Sequence, residues 1–207
     1  MKESIQQLKQ LYVEGVYETK ALLIRDQPFT LQSGRQSHIY LNHRNFLSKN
    51  QYLVLVAKIY LQLIDQVLQD YKLAVVDSVM SPIITGAMCT LSGKDLTIIK
   101  SAKLEHGTKE DIYGECTGEI VIIDDMTSTG GTIVEAAQKI RKAGGTVNYA
   151  VVSACRDKSA TENLTKENIT LLSIASFDEI ISLLESHLNK QEKELVKLEH
   201  KIGLKSH

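Results

Sequence analysis

Residues 119–132 constrain this chain more than any other stretch, because they join three patterns without a break. Four apolar residues that favour a strand, 120–123, lead directly into the adjacent acids Asp124 and Asp125. A turn rich in hydroxyl groups and glycine covers residues 127–132, and apolar side chains then recur at helical spacing. The stretch therefore predicts a buried strand, a tight loop and the first turn of a helix.

This loop also predicts a site for a phosphorylated sugar. Ligands of open parallel sheets bind at the carboxyl ends of the strands, and a helix N-terminus presents backbone N–H groups to a phosphate. Gly130 and Gly131 let the backbone approach a ligand without a Cβ in the way. Asp124 and Asp125 would repel a phosphate, so we expect them to face sugar hydroxyls or a Mg²⁺ ion beside it. A simple helix cap would need neither the second acid nor the run of hydroxyls.

The length of 207 residues suggests one domain. We expect an N-terminal hood over about residues 1–48, a core over about 50–188 and a charged helical tail, solvated, over about 189–207. A net charge of −1 offers no basic field for nucleic acid. Three cysteines without a close pair argue against a disulfide framework or a cysteine metal site. With no run of transmembrane length, we expect a cytoplasmic protein without a membrane partner.

Helical and strand patterns alternate along the chain, which indicates an α/β fold with a central, mainly parallel sheet. Residues 29–41 predict a β-hairpin with a glycine-containing turn. Residues 78–86 are expected to form a loop before a helix that begins at Ala87. The remaining predicted helices cover residues 2–14, 50–69 and 132–142, and the predicted strands cover residues 73–76, 97–99, 120–123, 147–155 and 171–174.

Residues 119–132 resemble the phosphoribosyl pyrophosphate (PRPP) signature of the type I phosphoribosyltransferases. The resemblance implies that family's fold, with a helix and hairpin as a hood over the sheet. It implies that Asp124 and Asp125 contact the ribose hydroxyls, with Asp125 also catalytic, and that the following loop binds the 5′-phosphate. The PRPP-binding residues implied in this segment are Asp124, Asp125, Met126, Thr127, Ser128, Thr129, Gly130, Gly131 and Thr132.

The hairpin resembles that of the orotate phosphoribosyltransferases, which carries Phe-x-Leu-Lys-Ser-Gly followed by Ser-x-x-Tyr. The matching residues are Phe29, Leu31, Ser33, Gly34, Ser37 and Tyr40, while Gln32 stands where the family has lysine. In that family the hairpin helps to form the base pocket, and an arginine at the place of Arg156 contacts orotate. The resemblance therefore implies orotate contacts from Gln32, Tyr40, Ser128 and Arg156.

Residues 100–114 are polar, lie between two predicted strands and contain Gly107 and Gly114, so they predict a lid that closes over the site. They resemble the Arg-Lys-x-x-Lys-x-His-Gly loop of orotate phosphoribosyltransferases. The resemblance assigns PRPP contacts to Lys100, Lys103 and His106, and the main catalytic role to Lys103.

The resemblance implies transfer of the phosphoribosyl group from PRPP to orotate, which gives orotidine 5′-monophosphate and pyrophosphate. It also implies Mg²⁺ held mainly by PRPP rather than by a protein metal site, and a homodimer in which the lid acts across subunits. Gln32, and Ile99 in place of the family arginine, leave open a phosphoribosyltransferase for another base. A non-catalytic PRPP-binding regulator is the other alternative.

Overall fold

The computed structural model describes residues 4–31, 34–101 and 111–203. Helix α1 covers Ile5–Glu18 and begins in a capping box, in which Ser4 Oγ accepts from Gln7 N and the Gln7 side chain accepts from Ser4 N. Strands β1 (Leu22–Thr30) and β2 (Gln36–Leu41) then form the predicted antiparallel hairpin. The first strand of this hairpin begins several residues earlier than the predicted start.

A seven-stranded sheet forms the centre of the molecule. Its strands follow the order β5-β4-β3-β6-β8-β9, and the short β7 pairs with β8 beyond the end of β6. Among the described residues, every pairing of this sheet is parallel except the one between β4 and β5, so the predicted α/β class and mainly parallel sheet are confirmed. The strands are β3 (Lys72–Val76), β4 (Leu96–Ile99), β5 (Ile112–Tyr113), β6 (Gly118–Ile123), β7 (Met126–Thr127), β8 (Gly145–Cys155) and β9 (Thr170–Ser176).

Helices cover both faces of this sheet. Alternate side chains of each strand point to opposite faces, and apolar side chains are buried on both. In β6, Val121 and Ile123 join one buried cluster, whereas Ile120 and Ile122 join the other. The first cluster includes residues of α1, α3, α4 and α7, and the second includes residues of α5 and α6. The helices after α1 are α2 (His43–Leu47), α3 (Asn50–Asp65), α4 (Ser81–Ser92), α5 (Gly131–Lys142), α6 (Lys158–Lys166), α7 (Phe177–Leu184) and α8 (Lys190–Gly203), with a 3₁₀ turn over Glu185–His187.

The predicted loop over residues 78–86 is wrong in its extent. Helix α4 already begins at Ser81, so the loop after β3 covers only residues 77–80. Pro82 lies in the first turn of α4, where a missing N–H removes no helical hydrogen bond. The early helix start buries Ser81 and Thr85, which the prediction had placed in the loop.

The C-terminal helix is not simply solvated, in contrast to the expectation. Helix α8 packs on the hairpin, and Val196 on this helix is buried. Glu199 Oε2 accepts from His38 N at 3.0 Å, and Glu199 Oε1 pairs with Arg35 Nη2 at 3.4 Å. The charged tail therefore supports the hairpin. None of the helices in the described ranges combines the length and apolar character that crossing a bilayer requires.

Candidate active site

The carboxyl ends of four parallel strands meet at one edge of the sheet. Lys100 follows β4, Asp77 follows β3, the pair Asp124-Asp125 follows β6, and Arg156 follows β8. These strands are neighbours in that order, so the structure brings the predicted strand-end residues to a common edge. This edge is where open parallel sheets bind their ligands.

Asp124 is held by donors on two sides. Ser81 Oγ donates to its Oδ1 at 2.6 Å, and the backbone N–H of Asp125 donates to the same oxygen at 2.9 Å. Burial raises the pKa of Asp124 to about 7, and the negative charge of Asp125 acts in the same direction. Tyr60 donates its hydroxyl to the Asp124 carbonyl at 2.9 Å, which links α3 to this turn.

Asp125 has a different environment. Burial would raise the pKa of Asp125, but the hydrogen bond and the charge of His43 outweigh burial and hold that pKa below its ordinary value. His43 Nδ1 lies 3.2 Å from Asp125 Oδ2. Ser153 fixes the backbone here, because its N–H and its hydroxyl both donate to the Asp125 carbonyl, at 3.1 and 2.6 Å. The adjacent acids are therefore placed in two distinct electrostatic environments.

The loop that follows the acids turns directly into α5. Thr127 Oγ1 accepts from the backbone N–H of Gly130 at 3.0 Å and so braces the turn. Thr129, Gly131 and Thr132 are exposed around the first turn of α5, whereas Thr127 and Gly130 are buried and Met126 and Ser128 are half-buried. The exposed groups surround a helix N-terminus, a site that suits a phosphate.

The two glycines of this loop have different roles. Gly130 has a φ of 82°, and an added Cβ would lie 2.9 Å from Leu164 Cγ. Both the backbone conformation and the packing on α6 therefore require glycine at this position. At Gly131 an added Cβ would meet only Thr129 Oγ1, at 3.8 Å. Of the two glycines, Gly131 is therefore the one at which a ligand could approach the backbone closely.

Arg156 joins the end of β8 to the hairpin. Its Nη1 donates to Ser37 Oγ at 3.2 Å, and its Nη2 donates to the Ile39 carbonyl at 3.1 Å. The guanidinium carbon lies 4.0 Å from the centre of the Phe177 ring, a cation–π contact. Among the described residues, the buried Arg156 Nε has no hydrogen-bond partner. Burial lowers the pKa of Arg156 to about 10, so this group remains cationic at neutral pH.

Arg156 also connects the two sides of the site. Its backbone N–H donates to the Thr127 carbonyl at 2.9 Å, so it lies beside the loop that follows the acids. On the hairpin side, Tyr40 contacts Phe29 with 5.2 Å between ring centres. These contacts place the aromatic hairpin, the arginine and the hydroxyl loop next to one another.

Three predicted site residues, Gln32, Lys103 and His106, lie outside the described residues. Lys100 lies inside them, at the end of β4. Its backbone N–H donates to the Asp111 carbonyl at 2.8 Å, and its own carbonyl accepts from Lys139 Nζ at 2.8 Å. Lys100 is thus attached to α5, and Asp111 is bonded to Lys100 beside the pairing of β5 with β4.

Comparisons with known proteins agree with this architecture. No protein-family model matches the chain. The orotate phosphoribosyltransferase of Methanocaldococcus jannaschii is 34% identical over 77% of this chain and 90% of its own length. That of Sulfolobus acidocaldarius is 32% identical over 89% of this chain and 93% of its own length.

The chain belongs to the orotate phosphoribosyltransferase family. Among solved structures, that of an orotate phosphoribosyltransferase from Aeropyrum pernix has a TM-score of 0.74 and 25% identity, and covers 84% of this chain and 97% of its own. The Leishmania donovani UMP synthase has a TM-score of 0.77 and 26% identity over 91% of this chain, which spans 41% of that longer protein. The resemblance seen in the sequence and the type I phosphoribosyltransferase fold are therefore confirmed.

Several residues of this phosphoribosyltransferase site were missed by the sequence analysis. His43, Ser81 and Ser153 all bond to the acid pair, yet they lie 82, 43 and 28 residues from their partners in the chain. Ser81 lies within residues 78–86, which the sequence predicts as a loop. No local pattern marks His43 or Ser153, because their role depends on contacts between distant elements.

Proposed function

We propose that this chain transfers the 5-phosphoribosyl group of PRPP to orotate and releases orotidine 5′-monophosphate and pyrophosphate. The observation that carries the proposal is the Asp124-Asp125 pair at the carboxyl end of β6, followed at once by an exposed hydroxyl loop and the start of α5. The relatives named orotate phosphoribosyltransferase support orotate as the accepting base.

The ribose phosphate of PRPP lies along β6, the loop and α5 in this proposal. Asp124 and Asp125 accept hydrogen bonds from the ribose hydroxyls, and the first turn of α5 donates to the 5′-phosphate. The ionised Asp125 is the stronger acceptor, since a charged group makes hydrogen bonds about twice as strong as a neutral one. The proposed PRPP contacts in this segment are Asp124, Asp125, Met126, Thr127, Ser128, Thr129, Gly130, Gly131 and Thr132.

The base lies between the hairpin and the end of β8. Orotate is a planar carboxylate, and the Arg156 guanidinium is a planar cation with donors left over after its two bonds to the hairpin. Tyr40 offers an aromatic face on the same side of the site. Gln32 and Ser128 are the other proposed orotate contacts, and they offer hydrogen bonds without charge.

The chemistry requires positioning and charge stabilisation more than covalent participation by the protein. The bond from the ribose C1 to the base nitrogen forms as the bond from C1 to pyrophosphate breaks, through an oxocarbenium-like state. Lys103 is the proposed catalytic lysine, and with Lys100 and His106 it neutralises the departing pyrophosphate. A closed lid over these groups would also exclude water from the reacting sugar.

Mg²⁺ is the proposed cofactor, held mainly by the oxygens of PRPP. Within the described ranges, the His, Cys, Asp and Glu side chains form no group of three that could hold a metal. When bound, the ion would reduce the negative charge of the pyrophosphate. We also propose a cytoplasmic homodimer in which the lid acts across subunits.

The chain is proposed to be a single domain made of hood, core and tail. The larger buried cluster supports a single domain, since it combines Leu8 and Tyr12 of α1 with Val121 of the sheet and Val196 of α8. The hood and the tail would then share a core with the sheet instead of folding separately.

A panel of bases tests the proposed function. Purified protein is mixed with PRPP, Mg²⁺ and either orotate, uracil or a purine base, and the loss of free base is followed by absorbance. We expect turnover with orotate and not with the other bases. Turnover with a different base would favour the other phosphoribosyltransferase, while PRPP binding without turnover of any base would favour the regulator.

A further inference from the structure

We propose that His43, a buried residue at the start of α2, is a positioning residue that holds Asp125 as an aimed, ionised carboxylate for the ribose of PRPP. The inference rests on the proposed function, because it concerns the acid assigned to the ribose hydroxyls. It adds a residue that neither the PRPP signature nor the hairpin pattern contains. The experiments below separate its failure from a failure of the proposed function.

The backbone around His43 is fixed by the hairpin. Strand β2 ends two residues earlier, and the N–H of Asn42 donates to the Ala21 carbonyl at 2.8 Å. The His43 side chain is 3% exposed, so its two ring nitrogens must find partners inside the protein. The ring therefore enters the sheet edge from the hairpin side and reaches the acid after β6.

Nε2 of His43 faces hydroxyl groups. Ser153 Oγ lies 2.8 Å from His43 Nε2 and 2.6 Å from the Asp125 carbonyl. The Ser153 hydroxyl thus links the far side of the ring to the backbone of the acid. The Tyr12 hydroxyl, 3.3 Å from Nε2, is a second partner for this nitrogen.

The partner of Nδ1 is Asp125 Oδ2, 3.2 Å away. The pKa of Asp125 is held below its ordinary value, so Asp125 is a carboxylate at neutral pH. A carboxylate oxygen can only accept a hydrogen bond, so Nδ1 carries the hydrogen and donates it to Oδ2.

The other titratable groups around this pair do not change the assignment. Tyr12 faces it from α1 and Tyr60 from α3, and burial raises the pKa of both phenols, so they are neutral at neutral pH. Asp124 lies directly before Asp125, and burial and the charge of Asp125 raise its pKa. His43 thus supplies the hydrogen bond that keeps the half-buried Asp125 ionised.

The arrangement leaves Asp125 with a defined direction. Its Oδ2 is held by His43, and its carbonyl is held twice by Ser153, so the side chain has little freedom to rotate. His43 also follows directly on β2 of the hairpin that borders the proposed base pocket. One residue therefore ties the base side of the site to the acid that would contact the ribose.

Two substitutions at His43 test the inference. His43→Leu removes both ring nitrogens, whereas His43→Asn keeps an N–H donor close to the position of Nδ1. We expect His43→Leu to raise the KM for PRPP about tenfold, the effect of losing a hydrogen bond to a charged group, with a much smaller change in kcat. His43→Asn should restore the KM to within about threefold of wild type. His187→Asn, in the exposed 3₁₀ turn, is the matched control and should behave as wild type.

An unchanged KM for PRPP in a folded His43→Leu protein would overturn the inference, and so would equal defects in the Leu and Asn variants. If wild type does not turn over orotate, the proposed function fails, and calorimetric titration of PRPP with Mg²⁺ still compares the variants. If His43→Leu does not fold, ¹⁵N NMR of wild type decides. Nδ1 of His43 should be protonated at neutral pH, and an unprotonated Nδ1 would reject the assignment.

Discussion

The two sides of the proposed site are built in different ways. The ribose-phosphate side is one continuous segment, in which β6, the acids, the loop and α5 follow each other within residues 118–142. The base side is assembled from the hairpin, Arg156 at the end of β8 and the C-terminal α8, which lie far apart in the chain. A continuous segment carries its geometry in local patterns, whereas an assembled one depends on the packing of the whole molecule.

The largest effect is expected on the ribose-phosphate side. Asp125→Asn keeps the shape of the side chain and removes its charge, so a ribose hydroxyl loses a charged acceptor. We expect the KM for PRPP to rise about 10- to 100-fold, with little change in the KM for orotate. Asp70→Asn, at an exposed acid, is the control for steady-state kinetics. Normal PRPP kinetics in Asp125→Asn would show that the ribose does not depend on a contact with this acid.

A change at Arg156, on the base side, should affect the KM for orotate and not the KM for PRPP. Arg156→Lys keeps the charge and loses the planar fork that bonds Ser37 and Ile39. We expect the KM for orotate to rise about tenfold while the KM for PRPP changes far less. Arg44→Lys, at an exposed position of α2, is the matched control. Equal rises in both constants would show that the two sides are not separable.

A smaller effect is expected from the contact between α8 and the hairpin. Glu199→Ala removes the acceptor for His38 N and one of the carboxylate partners of Arg35, so the hairpin becomes less constrained. We expect a rise of about threefold in the KM for orotate and no change for PRPP. Glu194→Ala on the same helix removes only an exposed pair with Lys197 and should have no effect. A rise in the KM for PRPP would show that α8 does not act on the base side alone.

The smallest effect is one on stability and concerns Asp124. Because its pKa is raised to about 7 in the folded protein, stability is lost as the pH rises from the ordinary aspartate pKa through that value. Asp124→Asn avoids this loss, and we expect its Tm to exceed that of wild type by roughly 2–4 °C near pH 8.

Thermal unfolding of both proteins at about pH 5 provides the comparison for Asp124→Asn, because wild-type Asp124 is then protonated and the difference in Tm should shrink. A difference in Tm that is the same at both pH values would show that the buried charge of Asp124 does not limit stability.

The same contrast explains what could be predicted from sequence. The strand, acids, loop and helix of residues 119–132 were predicted with little error, because hydrophobic period and turn chemistry are local. The predicted start of α4 is wrong because residues 78–86 mix small polar and apolar side chains, and because Pro82 is as typical of a loop as of the first turn of a helix. The packing of α8 and the bonds of His43 and Ser153 join elements distant in sequence, and a single chain gives no signal for such contacts.

A crystal structure with ribose 5-phosphate bound tests the central claim most directly. The account predicts the phosphate at the first turn of α5, within hydrogen-bond distance of the loop over residues 127–132. It predicts the sugar hydroxyls on the carboxylates of Asp124 and Asp125, with His43 still bonded to Asp125. A sugar phosphate bound at another edge of the sheet, or with its hydroxyls directed away from both acids, would contradict the account.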